Sequence, residues 1–375
     1  MRRLTYCSNI HPGPSWADVR HNLESHALGV KRALASSEIF PLGLWLSAQA
    51  LEELDVSATE SFGAWCDEQG LYVMTLNAFP HGRFHGTAVK ERVYLPAWRT
   101  AERSRYTRAA ADRLARWLPQ GETGSISTVP VAWAADFDEE DWPVVRERVV
   151  ETLEHLDGIA QRTGKALVLA FEPEPGCVLE TTAATLEFFE RLALPSTFAP
   201  LAGVCFDCCH QAVQYEDPAS SFGRLAAAGI PIGKVQVSSA LRAMGGEIAA
   251  LRDFDEPTYL HQVVARDRDG LLHRFADLPD FFAEEGLFAR SPEAFVECRV
   301  HFHVPIFAER IGACGTTRFF LEELLPTLGP DVGLEVETYS FDVLPRPMRK
   351  GSVTESLVRE LRWAGGIIDA SNRRS

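Results

Sequence analysis

Two kinds of segment alternate along the chain: short apolar runs rich in β-branched residues, and longer runs with the apolar spacing of a helix. The strand-like runs are 4–9, 42–47, 71–77, 124–130, 166–172, 203–207, 233–238 and 332–338. Helices are predicted near 15–34, 50–68, 100–117, 140–163, 180–193, 217–228, 315–326 and 353–364. Strands that alternate with helices form parallel sheets in α/β proteins, and eight such repeats are typical of a (β/α)₈ TIM barrel. A doubly wound open sheet is the alternative, although no GxGxxG motif follows the first strand.

The longest interruption of this alternation lies between the seventh and eighth predicted barrel strands, at about 239–314. Three runs within it have strand patterns: 259–266, 270–275 and 296–303. An Asp-Gly pair joins the first two, which indicates a hairpin. We therefore expect a single TIM-barrel domain over residues 1–375, with an antiparallel β insert between strands seven and eight.

The net charge and the lack of long apolar runs argue against several classes of protein. The 375 residues include 37 Lys and Arg against 52 Asp and Glu, which gives a formal charge of −15. A protein that grips nucleic acid over a broad surface needs clustered basic residues, so we expect no nucleic-acid partner. No apolar run reaches the roughly 18 residues that span a bilayer, so no membrane insertion is expected. The N-terminal segment is too polar for a signal peptide, which favours a cytoplasmic protein.

Polar side chains gather at the carboxyl ends of the last four predicted barrel strands, where a TIM barrel has its active site. In chain order they are Glu172, Asp207, His210, Lys234, Gln236, Glu335 and Glu337. A single carboxylate at a strand end is more often a helix cap or a salt-bridge partner. Four consecutive strands that point polar groups at one rim favour a shared site instead.

The donor atoms of this group predict a divalent metal site. The oxygen-rich set with one imidazole is formed by Glu172, Asp207, His210, Gln236 and Glu337. It suits Mn²⁺, Mg²⁺, Co²⁺ or a water-retaining Zn²⁺ better than a thiolate zinc site. His303 in the insert is either on the polar face of a surface strand or a further ligand. Lys234 is a candidate for electrophilic catalysis.

At these positions the chain resembles the xylose isomerase-like TIM-barrel superfamily, which includes sugar isomerases and epimerases as well as endonuclease IV-type DNA-repair enzymes. The resemblance is carried by a Glu-Pro pair at Glu172 after strand five and by Asp207 and His210 after strand six. On strand eight, Glu337 matches by depth, and Glu335 is its rival.

The resemblance implies roles for the matching residues. Glu172 and Glu337 would bind the metal and move a proton as an acid/base pair, while Asp207, His210 and Gln236 complete the metal's shell. Strand seven of the superfamily usually ends with a ligand histidine. Gln236 stands there in this chain, and an amide oxygen binds a hard metal more weakly.

Longer segments resemble, more specifically, the metabolite-traffic protein E family of the bacterial ebo cluster (EboE). They are 6–13, 46–50, 124–130, 172–175, 234–241, 301–305 and 334–339. Members of that family are linked to the making or moving of a secondary metabolite. The resemblance implies such a protein without naming its reaction.

Two functions are compatible with these features. The first is a metal-dependent isomerase or epimerase that acts on a sugar, cyclitol or related small polyol in a secondary-metabolite pathway of the ebo type. The alternative is a catalytically inactive TIM-barrel protein that binds or carries a metabolite, and Gln236 is the feature that favours it. The net charge of −15 disfavours a DNA-repair nuclease. The insert is a candidate interface for a homo-oligomer.

Overall fold

The computed structural model describes residues 3–34, 38–283, 286, 288, 291–349 and 351–372. Its strands are β1 (Leu4–Tyr6), β2 (Phe40–Trp45), β3 (Leu71–Asn77), β4 (Thr123–Thr128), β5 (Ala166–Phe171), β6 (Ala202–Asp207), β7 (Ile232–Val237), β8 (Leu241–Met244), β9 (Val263–Asp267), β10 (Leu272–Phe275), β11 (Phe295–Val300), β12 (Arg310–Ile311), β13 (Cys314–Thr316) and β14 (Leu334–Val336). Strands β1–β7 and β14 form one sheet, in the order β1-β14-β7-β6-β5-β4-β3-β2, with parallel neighbours throughout. A parallel bridge between Cys7 and Gly43 joins its two edges, so the barrel is nearly closed. The predicted TIM barrel is confirmed.

Helices alternate with these strands, as the apolar spacing predicts. They are α1 (Trp16–Asn22), α2 (Leu28–Leu34), α3 (Ala48–Glu53), α4 (Val56–Gln69), α5 (Ala101–Trp117), α6 (Trp142–Thr163), α7 (Thr182–Leu192), α8 (Cys208–Val213), α9 (Pro218–Ala227), α10 (Leu278–Phe281), α11 (Arg318–Leu324) and α12 (Val353–Asn372). Ser15, Thr100 and Thr181 cap α1, α5 and α7, because each side chain accepts an N–H of the first turn. The predicted helix near 50–68 is two helices, since Asp55 caps a new one at α4.

The insert is a second, antiparallel sheet with the strand order β10-β9-β11-β8-β13-β12. Strands β9 and β10 form the predicted hairpin, and Gly270 in its turn has φ 85°, a conformation that favours glycine. The third predicted strand is present as β11. The predicted antiparallel insert is confirmed. Its sheet has three strands more than predicted, because β8, β12 and β13 have no counterpart in the sequence prediction.

Two apolar cores support this arrangement. The barrel core includes Leu44, Ile126 and Leu169, which are fully buried. Apolar side chains of the surrounding helices belong to the same core. A separate core holds the insert together and includes Phe281 and Phe295. The strands of the insert are therefore held by an apolar core of their own. None of the helices in the described ranges combines the length and apolarity that a bilayer crossing requires.

The loop at 78–99 and the insert meet over the carboxyl ends of the barrel strands. Arg103 of α5 is fully buried and holds both ends of the loop, because its guanidinium donates to Ala78 O at 2.8 Å and to Pro96 O at 2.7 Å. The Val89 N–H donates to Thr258 O in the insert at 2.8 Å. The two segments thus form one cover over the mouth.

Helix α12 places a buried carboxyl group next to the end of β14. Glu360 is almost fully buried and accepts hydrogen bonds from Thr338 Oγ1 at 3.0 Å and from Ser356 Oγ at 3.5 Å. Burial raises the pKa of Glu360 from 4.5 to about 8, although both hydrogen bonds oppose the shift. The folded protein therefore keeps this group protonated to a higher pH than the unfolded chain does.

We expect this carboxyl group to weaken the fold as the pH rises from 4.5 to about 8. The sign follows from linkage, because over this interval the folded state binds the proton and the unfolded chain has released it. A shift of that size corresponds to at most roughly 5 kcal/mol. Glu360→Gln removes the titration, so its free energy of unfolding should fall less than that of the unmodified protein. Urea unfolding of the two proteins at about pH 5 and about pH 9 measures the fall in the free energy of unfolding of each. An equal fall in the two proteins would contradict the assignment.

Candidate metal centre

A pocket lies at the carboxyl ends of the barrel strands, beneath the cover formed by the loop and the insert. Its ionisable lining residues include Glu172, Glu174, His210, His301 and Glu337. Aromatic rings make up much of the rest, namely Phe79, Phe84, Tyr94, Tyr259 and Tyr339. An apolar pocket with a few convergent polar groups is the usual form of a small-molecule site.

Three carboxylates converge on one point at this end of the barrel. Glu172, Asp207 and Glu337 each offer an oxygen within 4.8 Å of the other two, and all three side chains are buried. Burial raises the pKa of Glu172 to about 8, and burial with the charges of Glu172 and Asp207 raises the pKa of Glu337 well above its usual range. Glu172 Oε2 has no hydrogen-bond partner among the described residues. Such a group of charges is costly unless a cation offsets it.

Hydrogen bonds orient two of these carboxylates, those of Asp207 and Glu337, through one oxygen each. The main-chain N–H of His210 and the Ser238 hydroxyl donate to Asp207 Oδ1 at 2.8 and 2.9 Å, while Asp207 Oδ2 finds no partner in the described part of the chain. Asn9 Nδ2 donates to Glu337 Oε1 at 2.7 Å. Since buried acceptors are almost always paired, the free oxygen of Asp207 is suited to a ligand.

Two imidazoles face the same carboxylates. His303 Nδ1 lies 2.9 Å from the main-chain oxygen of Glu337 and must donate to it, because a carbonyl only accepts. His303 Nε2 has no partner among the described residues. His210 Nδ1 donates in the same way to Pro173 O at 2.9 Å. Asp207, His210 and His303 each offer a ligand atom within 4.8 Å of the other two. Proteins commonly orient metal-binding histidines through such a hydrogen bond to a carbonyl.

Gln236, the sixth residue predicted as a ligand, lies beside Asp207 in the barrel sheet. The two are paired in register between β6 and β7. The Gln236 side chain is fully buried, and neither its oxygen nor its nitrogen has a partner within the described ranges. A buried amide without partners is a candidate to give its oxygen to a cation.

The structure does not place Lys234 in the pocket. Lys234 Nζ lies 2.5 Å from Glu335 Oε2, and both side chains are fully buried inside the barrel. Burial lowers the pKa of Lys234, but the charge of Glu335 outweighs this and raises it above its usual range. A protonated lysine acts as an electrophile only on a substrate within reach, but Glu335 holds Lys234 Nζ inside the barrel, and Lys234 is not among the described residues that line the pocket. The two glutamates of strand eight thus occupy different places. Glu335 pairs with Lys234 inside the barrel, whereas Glu337 lines the pocket.

A family model described as "Xylose isomerase-like TIM barrel" matches residues 36–280, more than half of the chain. The chain belongs to the xylose isomerase-like TIM-barrel family. The predicted superfamily is thereby confirmed, while the finer resemblance to the metabolite-traffic protein E family stays a prediction. No curated protein sequence matches the chain significantly.

Solved structures with this xylose isomerase-like fold include three that match over nearly the whole chain. A xylose isomerase-like TIM-barrel protein from Mycobacterium smegmatis in complex with magnesium has a TM-score of 0.56 at 11% identity, over 99% of this chain and 98% of that one. An L-ribulose 3-epimerase has a TM-score of 0.53 at 11% identity, over 100% and 97%. A D-psicose 3-epimerase from Clostridium cellulolyticum H10, solved with D-tagatose, has a TM-score of 0.51 at 13% identity, over 99% and 99%. At these identities the likeness shows a shared fold.

Two residues that the strand-end argument does not single out, Tyr94 of the pocket lining and Gln262 beside it, bind polar groups of the pocket. Tyr94 of the loop donates its hydroxyl to Glu174 Oε1 at 2.7 Å, and Gln262 of the insert donates to the Tyr94 oxygen at 2.8 Å. Gln262 Oε1 accepts from His301 Nδ1 at 2.6 Å. Neither Tyr94 nor Gln262 lies at the end of a barrel strand, so no strand-end argument could find them.

Proposed function

We propose that the protein is a metal-dependent isomerase or epimerase that acts on a sugar, cyclitol or related small polyol. One observation carries the proposal: three buried acceptor atoms at the strand ends, Glu172 Oε2, Asp207 Oδ2 and His303 Nε2, have no hydrogen-bond partner among the described residues. Buried acceptors are normally satisfied, so this group calls for a ligand. A divalent cation is one ligand that carboxylate oxygens and an imidazole nitrogen share.

Five side chains form the proposed donor set, Glu172, Asp207, Gln236, His303 and Glu337. Three carboxylates, one amide and one imidazole suit Mn²⁺, Mg²⁺ or Co²⁺, and also Zn²⁺ with an open position. When bound, such a cation polarises the carbonyl or hydroxyl oxygens of a substrate next to it. His210, the remaining predicted ligand, has its free nitrogen turned towards His301.

We assign proton transfer to Glu172 and Glu337. Both line the pocket, and they follow strands that β6 and β7 separate in the barrel, so they approach a bound molecule from two directions. One carboxylate takes the proton from a carbon next to a carbonyl group, and the bonding electrons stay on the substrate. If the other carboxyl group returns a proton to the opposite face, the carbon is inverted. If the proton goes to the neighbouring carbon, an isomer forms.

The pocket lining supports an uncharged substrate. Among the lining residues that the structure describes, Lys90 is the one lysine or arginine, and its Nζ lies 2.6 Å from Asp277 Oδ2. A phosphate group usually binds to unpaired arginine or lysine side chains, which this lining does not offer. Phe79 and Phe84 present apolar faces on which the C–H face of a sugar can pack. Two of the similar structures are epimerases that carry the names of uncharged ketoses.

A carrier without catalysis is the second candidate, and one observation favours it. Gln236 stands where the resemblance predicts a histidine. An amide is a weaker ligand than an imidazole, so the affinity for a cation would be reduced. A place in an ebo-type secondary-metabolite pathway is part of either proposal and rests on the segments that resemble the metabolite-traffic protein E family.

Proton exchange and metal content, measured on one preparation, test the proposal. Protein loaded with Mn²⁺ and incubated in D₂O with D-tagatose, D-psicose or an inosose is expected to place deuterium on the carbon next to the carbonyl group, which NMR detects. Metal-free protein is the control and should give no exchange. Bound Mn²⁺ without exchange on any of these compounds would favour the carrier. Failure to take up either Mn²⁺ or Zn²⁺ would overturn the metal centre.

A further inference from the structure

A groove on the outside of the barrel lies between helices α4, α5 and α6. It has a volume of about 750 Å³, and its lining shares no residue with the pocket of the candidate metal centre. Lys165 of the groove directly precedes β5, whereas Glu172 of the metal centre directly follows it. The groove and the metal centre therefore lie at opposite ends of the same strand, and the groove takes no part in the proposed function.

Positive charge outweighs negative charge in the groove. Four of the lining residues are basic, namely Arg113, Arg116, Arg162 and Lys165. Two are acidic, Glu60 and Asp112, and Asp112 Oδ1 already lies 2.8 Å from His155 Nε2. None of the four basic side chains forms an ion pair with a carboxylate in the described part of the chain. In a chain with a formal charge of −15, this unpaired positive charge runs against the charge of the molecule as a whole.

The contacts that hold two of these side chains leave their charge in place. Lys165 Nζ donates to Ala115 O at 2.7 Å, and Arg113 donates to Leu54 O. A carbonyl oxygen is neutral, so both contacts fix a side chain without offsetting its charge. Arg113 Nε is buried and has no acceptor among the described residues, which is unusual for a buried donor. Burial and the charge of Arg116 lower the pKa of Lys165, as expected where cations lie together without a counter-ion.

Helix dipoles account for only part of the remaining charge. Arg116 lies in the last turn of α5, and Arg162 lies in the last turn of α6. The carboxyl end of a helix carries about half a negative charge, so two helix ends offset about one of the four positive charges. Both arginines are exposed, and neither guanidinium group has an acceptor within the described ranges. These two groups are therefore available to an anion.

We propose that this groove binds a small anion that carries two or more phosphate groups. The inference goes beyond the proposed function and does not rest on it. Guanidinium groups bind phosphate oxygens through paired, charge-assisted hydrogen bonds, and several unpaired cations suit a ligand with several negative charges. The charge of −15 on the whole chain disfavours a long polyanion such as nucleic acid, because such a ligand would extend beyond the groove.

The rest of the lining suits a small molecule. Thr59, Gln120 and Thr163 add neutral hydrogen-bonding groups. Val56 and Ile159 add apolar surface on which the organic part of a phosphate ester can pack. The volume of about 750 Å³ lies within the range of roughly 300–1,000 Å³ that is usual for small-molecule sites.

Titrations with ATP and with inorganic tripolyphosphate test the proposal. Isothermal titration calorimetry is run on the full-length protein in buffer freed of divalent cations by a chelating resin, so that phosphate cannot bind through a metal ion. We expect saturable binding of both compounds at one site per chain, with an affinity that falls as salt is added. Adenosine is the uncharged control and should not bind. Tighter binding of ATP would identify an organic phosphate as the ligand, and equal binding would identify the phosphate chain alone; both support the site.

Three variants locate the binding site. Arg116→Gln and Arg162→Gln are each expected to weaken binding by about tenfold or more, because each removes charged hydrogen bonds to phosphate. Arg224→Gln is the matched control, since Arg224 is also exposed in the last turn of a helix, α9, but lies outside the groove, and its affinity should not change. No saturable binding of either compound, or equal weakening in all three variants, would overturn the site. Neither outcome bears on the proposed function, because the groove and the pocket have no lining residue in common.

Discussion

Replacing Glu172 or Glu337 by glutamine is expected to abolish deuterium exchange and to remove Mn²⁺ from the proposed metal centre. Glutamine keeps the size of the side chain and one oxygen, but it removes the charge that binds a cation and the group that accepts a proton. Loss of one positioned acid or base typically lowers a rate by about 10²- to 10⁴-fold, and the lost ligand adds to this. The exchange rate and the Mn²⁺ content of each purified variant measure the two effects separately.

The same two variants are expected to lose activity and to gain stability. Urea unfolding therefore gives a second, independent measurement. Without metal, burial and then the charges of neighbouring carboxylates raise the pKa of Glu172 and of Glu337. Each carboxyl group therefore costs free energy of folding above its unfolded pKa, and a neutral amide removes this cost. We therefore expect both metal-free variants to unfold at higher urea than the metal-free unmodified protein. Glu140→Gln, at an exposed glutamate, is the matched control and should change neither quantity. Unchanged Mn²⁺ content in both variants would contradict the ligand assignment.

The barrel could be predicted from the sequence because its strands are buried on both faces and its helices are amphipathic, so both leave a clear pattern. The hairpin of β9 and β10 could be predicted for a local reason, the Asp-Gly turn between two alternating runs. Strands β8, β12 and β13 have four, two and three residues and are too short to show a period of two. Pairing with β11 and with one another holds them in place, and that is tertiary information.

The strand-end part of the candidate site could also be predicted, since a barrel brings the carboxyl ends of its strands together whatever the intervening helices are. Depth within the barrel could be predicted only in part, because the resemblance favours Glu337 and keeps Glu335 as its rival. Glu335 and Glu337 are two residues apart on one face, so the pattern treats them alike, yet Glu335 lies within β14 and Glu337 lies beyond its end. Pairing between segments far apart in sequence, such as Tyr94 with Glu174, leaves no local signal either.

Breaking the ion pair inside the barrel is expected to cause a large loss of stability. Lys234→Met leaves Glu335 fully buried without its counter-charge, and removal of one partner from a buried pair typically costs about 3–5 kcal/mol. Glu335 has little room to move away, because a Cβ placed on Gly43 would lie 1.8 Å from Glu335 Oε1. Urea unfolding of the metal-free protein measures the loss.

The double variant Lys234→Met/Glu335→Gln distinguishes a structural lysine from a catalytic one. It has no uncompensated charge in the barrel, so we expect it to regain most of the lost free energy of unfolding and, with it, the deuterium exchange. A lysine that acts on the substrate could not be rescued by a substitution at Glu335. Exchange that is lost in Lys234→Met without a loss of stability, and is not regained in the double variant, would assign Lys234 to catalysis. Stability and exchange that fall and recover together would identify Lys234 as the counter-ion of Glu335 and leave proton transfer to Glu172 and Glu337.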